Sequence, residues 1–459
     1  MPRKALVFVL ACLTALAPLK FTETLALDHL VHWPRGLEWL THIWPSSLFF
    51  VCNAFLVIAA LWLLRDEIQL KGNVMLAVAF FLLIQGLSAA MSIDRSISWL
   101  FFQWFFSLAA AFCLGSWLVK NSSDLESLLF AWLTASVIVV WSGWNQAMGG
   151  LEEVRKLLAT QPQLSREHPL VDDWARIDRI YATFMTPNAL AGYLVATLGV
   201  IPVWLHLNEA SDSSAKKSWF ARGFLTLLAL ACLYCFWRTQ SKSGFLILLF
   251  TAVFAQAMLA PSWRRALAGG LLLLLLSAAL FRLGYMRVTR DEPVSPSILA
   301  KLDIAPYRRK DATKSGLESL SSRIEFWRAA AAIAADHPLL GSGPGTFAEL
   351  YPRYKRPGAL DTRLVHNNYL QLAAESGLLG LFSFLAWISL ALQVVWKKAR
   401  AAEEGQRRMI VLLGCACVSF LLQGLADYNL YTPGLAWPTF VLMGILAGQN
   451  ETSQLTRSV

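Results

Sequence analysis

The chain has 459 residues, of which 56% are hydrophobic and only 15% are charged, and its mean hydropathy is +0.50. Soluble domains carry about a quarter charged residues, so this composition excludes an ordinary soluble enzyme. The net charge of +10 does not require a nucleic-acid partner, because membrane proteins concentrate Lys and Arg in their cytoplasmic loops. All seven cysteines lie inside apolar blocks, where cysteine behaves as a small buried hydrophobe. We therefore expect neither a disulfide framework nor a zinc site.

The apolar residues fall in blocks of roughly 20, the length that a helix needs to cross about 30 Å of hydrocarbon. No set of short alternating segments favours a barrel. We predict an all-α integral membrane protein with about 12 transmembrane helices and a large, partly helical extracytoplasmic loop between spans 9 and 10. The predicted spans are 5–20, 47–64, 73–92, 97–119, 126–147, 187–206, 223–237, 244–260, 266–283, 369–396, 409–426 and 434–448.

The positions of the Lys and Arg residues predict the orientation of the chain in the membrane. With a cytoplasmic N-terminus, every short inner segment carries positive charge, as the positive-inside rule requires. The chain then divides into residues 1–283 with spans 1–9, an extracytoplasmic loop at 284–368, and residues 369–459 with spans 10–12 and a cytoplasmic tail. Both termini are predicted to be cytoplasmic.

An amphipathic helix is predicted within the extracytoplasmic loop. Ser322 and Glu325 have the spacing of a capping box, which predicts that the helix begins near Ser322. The helix should run to about Asp336, because the residue before a proline disfavours helical backbone and His337-Pro338 comes next. The run Gly341–Gly345 follows neither a strand nor a βαβ unit, so we interpret it as a turn and not as a phosphate-binding loop.

Polar motifs fall at the outer ends of the even-numbered spans, where each helix begins with its positive dipole end facing outward. These motifs are Arg179–Asn188, Arg238–Gly244, His366–Asn368 and Asp427–Asn429. Thr186-Pro187 resembles an N-cap followed by the first helical residue. Helix N-termini with nearby Lys or Arg form anion sites, so a lipid-linked phosphate is the expected guest. Alternatively, each motif is only an interfacial anchor or a helix cap.

His366 lies where the long outer loop re-enters the membrane, and Asn367, Asn368 and Glu375 follow it. A neutral histidine there could accept a proton from a hydroxyl near pH 7. The sequence has no H-E-x-x-H, G-x-S-x-G or D-x-D motif. Zinc proteolysis, serine hydrolysis and metal-nucleotide glycosyl transfer therefore lack support.

Several stretches together resemble the O-antigen ligase and polymerase superfamily. His366-Asn367 followed by Glu375-Ser376-Gly377-Leu378-Leu379-Gly380 is similar to its His-Asn and Glu-x-Gly-x-x-Gly signature. Also similar to family motifs are Ser322–Phe347, Thr239–Gly244, Pro187-Asn188 and 427–433, so the resemblance covers about 180–445. The chain departs from the family at Lys242, where arginine is usual, and lysine lacks the planar fork that binds phosphate in two places.

The resemblance implies a metal-independent, inverting glycosyltransferase of the bacterial inner membrane that uses an undecaprenyl-diphosphate-linked glycan and no cofactor. Its active site would be periplasmic, with His366 as the catalytic base. It implies donor-binding residues at Arg323, Lys242, Arg238 and Arg179, and supporting residues at Asn188, Asn367, Glu375 and Asp427.

The acceptor is left open. The resemblance fits a ligase that uses a glycolipid such as lipid A core, a polymerase that uses a second glycan, or a protein O-glycosyltransferase. A non-enzymatic assembly scaffold is one alternative of another class, and a transporter or flippase of lipid-linked sugar is the other. A transporter would predict charges near the membrane midplane and repeated halves, and the sequence has few such charges and no internal repeat.

Overall fold

The structure is a computed structural model that describes residues 2–31, 33–65, 72–160, 179–211, 215–260, 262–280 and 316–448. These residues form helices and connecting loops, and no strand occurs among them. Ten of the helices are long and apolar enough to cross a membrane. The prediction of an all-α polytopic membrane protein is confirmed. The first part of the predicted outer loop, 284–315, and the tail from residue 449 lie outside the described residues.

The predicted spans coincide with helices. In chain order the helices of the bundle and of its outer cap are α1 Pro2–Lys20, α2 Ser46–Leu63, α3 Asn73–Ala90, α4 Arg95–Leu118, α5 Ser122–Asn145, α6 Pro187–Ser211, α7 Ala215–Thr239, α8 Lys242–Leu259, α9 Trp263–Leu280, α10 Gly316–Asp336, α11 Phe347–Tyr354, α12 Asn368–Ala401, α13 Glu404–Gln423 and α14 Pro433–Ala447. All but α10 and α11 lie at predicted spans. The helices α9 and α14 are not among the ten candidate spans, so the count of about twelve stays a prediction.

The helix ends contact one another in two groups, as expected if successive helices cross the membrane in alternating directions. At the end predicted to be cytoplasmic, Arg3 of α1 forms an ion pair with Asp124 of α5. At the end predicted to face outward, the Thr183 hydroxyl donates to the Pro18 carbonyl at 2.7 Å. Further backbone hydrogen bonds at that end join Ile93 to Ser342 and Asn368 to Gly424. Which of the two groups faces the cytoplasm is inferred only from the distribution of Lys and Arg residues, and it is still a prediction.

The helix α14 occupies the centre of the bundle, and all of its 15 residues are buried. Its backbone packs directly on α4. A Cβ on Gly444 would lie 1.9 Å from the Phe112 carbonyl oxygen, and one on Gly115 would lie 2.2 Å from that of Val441. Small residues at these two crossings let the backbones approach closely, which is how membrane helices gain packing energy without a hydrophobic driving force.

The outer cap consists of α10 and α11, which bury Phe326, Ile333 and Phe347 in a second apolar cluster. The predicted end of α10 at Asp336 is confirmed. The predicted capping box is wrong. The helix already includes Gly316, so Ser322 lies inside it, and Glu325 instead accepts hydrogen bonds from Arg328. The capping-box spacing matched by coincidence because the preceding residues are also helical.

The glycine run between α10 and α11 is the predicted turn, and it docks on a break in α12. Gly377 interrupts α12 with a φ of 69°. The Leu378 N–H donates to the Pro338 carbonyl at 2.8 Å, and a Cβ on Gly341 would lie 2.2 Å from the Glu375 carbonyl carbon. The break therefore fixes the cap to the start of α12.

Replacing Gly377 with alanine should destabilise the protein, because its left-handed backbone penalises a side chain by about 1–2 kcal/mol. The new Cβ would also lie 2.2 Å from the Leu339 carbonyl oxygen. Thermal unfolding of the detergent-solubilised Gly377→Ala variant should show a lower midpoint than wild type. The matched control is Gly223→Ala, since nothing lies within 4 Å of that Cβ position. Equal midpoints for both variants would contradict the docking role of Gly377.

Candidate functional site

The segment that carries His366 is fixed by the two asparagines that follow it. Asn367 caps α12, because its Oδ1 accepts hydrogen bonds from the N–H groups of Tyr369 and Leu370, both at 3.0 Å. The Asn368 amide donates to Asn429 Oδ1 at 2.6 Å. The start of α12 is therefore tied to the connection between α13 and α14, which carries Asp427.

Backbone strain concentrates at this end of the bundle. Within the described ranges, the only non-glycine residues with positive φ are Ala182 at 53°, Gln240 at 51° and His366 at 56°. Each belongs to one of the polar motifs identified in the sequence. Such conformations cost of order 1–3 kcal/mol and cluster at ligand sites, where the surrounding structure over-determines them. The three strained positions thus single out the same surface as the motifs.

The His366 ring lies between two aromatic rings. Its centroid is 5.7 Å from that of Phe326 and 4.7 Å from that of Tyr428. The side chain remains 27% exposed, and Nδ1 lies 4.0 Å from Asp427 Oδ1. Nδ1 is buried and has no hydrogen-bond partner among the described residues. Nδ1 is therefore the shielded nitrogen, and Nε2 is the one that a substrate could reach.

His366 is neutral at physiological pH. Burial, together with the nearby Arg323 guanidinium, lowers its pKa to about 3. A neutral imidazole is the form that can accept a proton. An anion bound beside Arg323 would offset the cation and raise the pKa of His366, so a bound anion would make the histidine a stronger base.

Asp427 is the buried acid of the site, with only 2% of its surface exposed. Burial raises its pKa, and the charges of Arg323 and Arg179 oppose that shift. Its Oδ1 accepts a hydrogen bond from the Tyr428 N–H at 2.9 Å. Arg323 itself forms no hydrogen bond or ion pair with the residues that the structure describes, although its charge acts on His366 and Asp427. Its five N–H donors are thus available to a ligand.

A second polar cluster joins the motifs before α6 and α8. Arg179 Nε donates to the Thr239 carbonyl at 2.6 Å, and Arg179 Nη2 donates to Asn188 Oδ1 at 3.3 Å. The Ser241 hydroxyl donates to the same oxygen of Asn188 at 2.8 Å. Thr186 caps α6 by accepting from the Ala189 N–H, which confirms the N-cap predicted from Thr186-Pro187.

Gln423 connects this cluster with His366 and Asp427, and sequence reasoning missed it. Its Nε2 donates to the Asn188 carbonyl at 2.6 Å and to Asp427 Oδ2 at 3.5 Å. The contact requires glycine at position 192, since a Cβ there would lie 1.9 Å from Gln423 Oε1. The available signal was the spacing: Gln423 precedes Asp427 by four residues and follows the largely apolar stretch 409–422.

Lys242 and Arg238 lie at the rim of the site. Arg238 is in the last turn of α7 and Lys242 is the first residue of α8, and both are exposed. Neither forms a hydrogen bond or ion pair within the described part of the chain. They flank Ser241, which binds Asn188, so they border the network without joining it.

Glu375 supports the site at a distance. Its Oε1 accepts hydrogen bonds from the Phe347 N–H at 3.2 Å and from Gln371 Nε2 at 3.1 Å. Gln371 Oε1 in turn accepts from the Val365 N–H, next to His366. Glu375 therefore holds the glycine-rich turn and the backbone before His366, and it does not itself contact the imidazole.

A cavity of about 680 Å³ opens beside His366. His366 and Tyr428 form part of its wall. It is otherwise lined by Thr24, Ala26, Leu27, Ile97, Ala348, Glu349, Tyr351, Pro352, Asp361, Thr362, Arg363 and Leu364. No group of three or more His, Cys, Asp or Glu side chains suited to a metal ion occurs among the described residues.

Comparison with known proteins places a family domain over this site. Residues 226–385 match the family described as O-Antigen ligase. The matched segment includes Lys242, Arg323, His366 and Glu375, whereas Asn188 and Asp427 lie outside it. No curated protein matches the chain. The match supports the predicted resemblance to the O-antigen ligase superfamily over residues 226–385.

Proposed function

We propose that the protein is an O-antigen ligase-like glycosyltransferase that transfers a glycan from undecaprenyl diphosphate to an acceptor hydroxyl, such as one on lipid A core. The reaction would take place at the periplasmic face of the bacterial inner membrane. The family match supports a ligase- or polymerase-type function. The observation that carries the proposal is the neutral His366 close to the buried Asp427 and under the charge of Arg323, which has no partner among the described residues.

His366 would act as the general base. The acceptor hydroxyl gives its proton to Nε2 while its oxygen forms a bond to the anomeric carbon. The bond from that carbon to the diphosphate oxygen breaks, the diphosphate leaves with the electron pair, and the configuration inverts. Nδ1 holds the other ring proton before and after this transfer, and it faces Asp427 Oδ1 at 4.0 Å. A carboxylate there stabilises the imidazolium that the reaction forms.

Arg323 and the residues around Asn188 would hold the diphosphate. The guanidinium of Arg323, which has no partner in the described part of the chain, offers the planar fork that binds phosphate oxygens in pairs. Arg179, Arg238 and Lys242 would add positive charge around it, and the N-termini of α6 and α8 would supply backbone N–H groups. Preorganised donors of this kind stabilise the negative charge that develops on the leaving group.

His366→Asn should abolish most transfer. Asparagine tolerates the left-handed backbone at this position but cannot act as a base, and a general base typically contributes about 10²–10⁴ in rate. The measurement is glycan transfer from a purified undecaprenyl-diphosphate-linked donor. His337→Asn is the control, because His337 lies at the end of α10 and does not contact the site. Undiminished turnover of His366→Asn would exclude the catalytic role.

The pH dependence of activity should reveal the electrostatic effect of Arg323 on His366. A base works only when it is unprotonated, and the pKa of His366 in the free enzyme is about 3. For wild type, kcat/KM for the donor should therefore not fall on acidification as far as about pH 5. Arg323→Gln removes a cation that disfavours the imidazolium, so the pKa of His366 should rise and the acid limb should move to higher pH. An acid limb at the same pH in wild type and in Arg323→Gln would contradict the electrostatic coupling between Arg323 and His366.

Deletion of the gene should distinguish the ligase from the polymerase. A ligase acts on a finished glycan, so its loss should leave full-length chains on the lipid carrier. Loss of a polymerase should leave single unextended repeats instead. Electrophoresis of lipid-linked and surface glycans measures the difference. We expect full-length lipid-linked chains, and accumulation of single repeats would transfer the assignment to a polymerase.

A further inference from the structure

A second cavity, of about 780 Å³, opens between α1, α5 and α6. None of the residues assigned above to the catalytic or donor site lines it. Asp124, at the start of α5, lines the cavity and forms the ion pair with Arg3 described above. The cavity therefore begins at the end of the bundle that is predicted to be cytoplasmic.

This cavity is a groove about as long as one leaflet of a bilayer. On α1 its lining residues run from Lys4 to Ala15, and on α5 they run from Ser123 to Thr134. Each stretch rises eleven residues, from 4 to 15 and from 123 to 134, which is about 16 Å along a helix. The hydrocarbon core is about 30 Å thick, so one leaflet contributes about 15 Å. Since both helices begin at the predicted cytoplasmic end, the groove extends from that surface to about the middle of the membrane.

The deep part of the groove is apolar and open to the side of the bundle. The small residues Ala11 and Ala131 line it and leave space between larger neighbours. Phe8 and Phe130 also line it, and they are 69% and 58% exposed. The ring centroids of Phe130 and Trp204 lie 6.0 Å apart. Exposed rings within a membrane span face hydrocarbon, so the groove is accessible to the acyl chains of the bilayer.

The shallow end of the groove carries charges of both signs. Lys4 lines it and forms no hydrogen bond or ion pair with the residues that the structure describes. Glu126 lines it too, and its Oε1 accepts a hydrogen bond from Asn208 Nδ2 at 3.3 Å. The charge of Asp124 is already balanced by Arg3. Among the described lining residues, one cation and one acid are thus left for a ligand.

We propose that this groove binds one phospholipid of the leaflet on the predicted cytoplasmic side, with an ethanolamine head group between Lys4 and Glu126 and an acyl chain along α1 and α5. A phospholipid changes from charged to apolar over the length of one leaflet, as the groove does. The proposal does not depend on the proposed glycosyl transfer, because no residue of the candidate functional site lines the groove.

The two charges favour a head group that has both a phosphate and a primary amine. The Lys4 ammonium binds the phosphate as a point charge, and the Glu126 carboxylate accepts charge-assisted hydrogen bonds from the amine. A glycerol head group has the phosphate but no amine, so Glu126 would face a net negative lipid without a cationic partner. A choline head group carries the positive charge but has no N–H to donate.

Blocking the groove tests its assignment. The full-length protein is reconstituted in nanodiscs that hold equal amounts of dioleoyl phosphatidylethanolamine and dioleoyl phosphatidylglycerol, and native mass spectrometry counts the lipids that it retains. Ala131→Phe should retain one phosphatidylethanolamine fewer than wild type, because the new ring occupies the space of the acyl chain. Ala268→Phe, at an exposed position of α9 outside the groove, is the matched control and should retain as many lipids as wild type.

Charge substitutions test the head group without a bulky side chain. Wild type should retain phosphatidylethanolamine over phosphatidylglycerol by about threefold to fivefold, the ratio expected from one exposed charge pair. Glu126→Gln should remove that preference, because a neutral amide does not attract the ammonium group. Lys4→Gln should lower the retention of both lipids and keep the preference, because both carry the phosphate. Lys397→Gln, an exposed lysine at the same predicted end but outside the groove, is the control and should change neither.

Three results would overturn the proposal. Equal lipid retention by Ala131→Phe and wild type would exclude the groove as the binding site. Equal retention of the two head groups by wild type would exclude the ethanolamine assignment. A wild-type dimer that is lost in Ala131→Phe would assign the groove to a second copy of the chain. One lipid lost in Ala131→Phe, together with a preference lost in Glu126→Gln and kept in Lys397→Gln, would support the phospholipid site.

Discussion

The carboxamide of Gln423 is the interaction on which the rest of the candidate site depends. Its single N–H₂ group binds the Asn188 carbonyl at the start of α6 and approaches Asp427 beyond the end of α13. Gln423 and Asp427 are buried and Asn188 is half-buried, and an unpaired buried polar group costs about 1–3 kcal/mol. The charge of Arg179 also acts on Asp427. Through these contacts the Arg179 cluster and the His366 cluster form one polar surface, which in the proposed function would bind the diphosphate.

The proposed site would suit a ligand that brings negative charge. Its cations outnumber its buried acid, and burial together with the charge of Arg323 keeps the pKa of His366 low. Binding of a diphosphate would therefore do two things at once, since it would neutralise the cations and strengthen the base. Binding and activation are then coupled by electrostatics, without a conformational step. The same coupling would protect the free enzyme from activating water before the donor is in place.

Hydropathy and charge counting predicted the helices well, because each span is a local property of about 20 residues. The four polar motifs were also predictable, since helix ends that alternate across a membrane must gather on one side. The role of Glu375 could not be predicted. Its partners, Phe347 and Gln371, depend on how the glycine-rich turn docks on the broken α12. Gln423 was missed for a related reason. The role of the Gln423 amide at the end of α13 depends on its tertiary contact with Asn188, which the sequence does not reveal.

The close contact between α14 and α4 has a consequence for motion. The backbones touch at Gly115 and Gly444, and α14 has no exposed residue along its whole length. Carriers that alternate access between two compartments do so by rocking one half of the bundle against the other. Such rocking here would pull apart interlocked backbones at the centre and open voids that no side chain is placed to fill. The close packing of α14 on α4 therefore disfavours a motion that would separate these two helices.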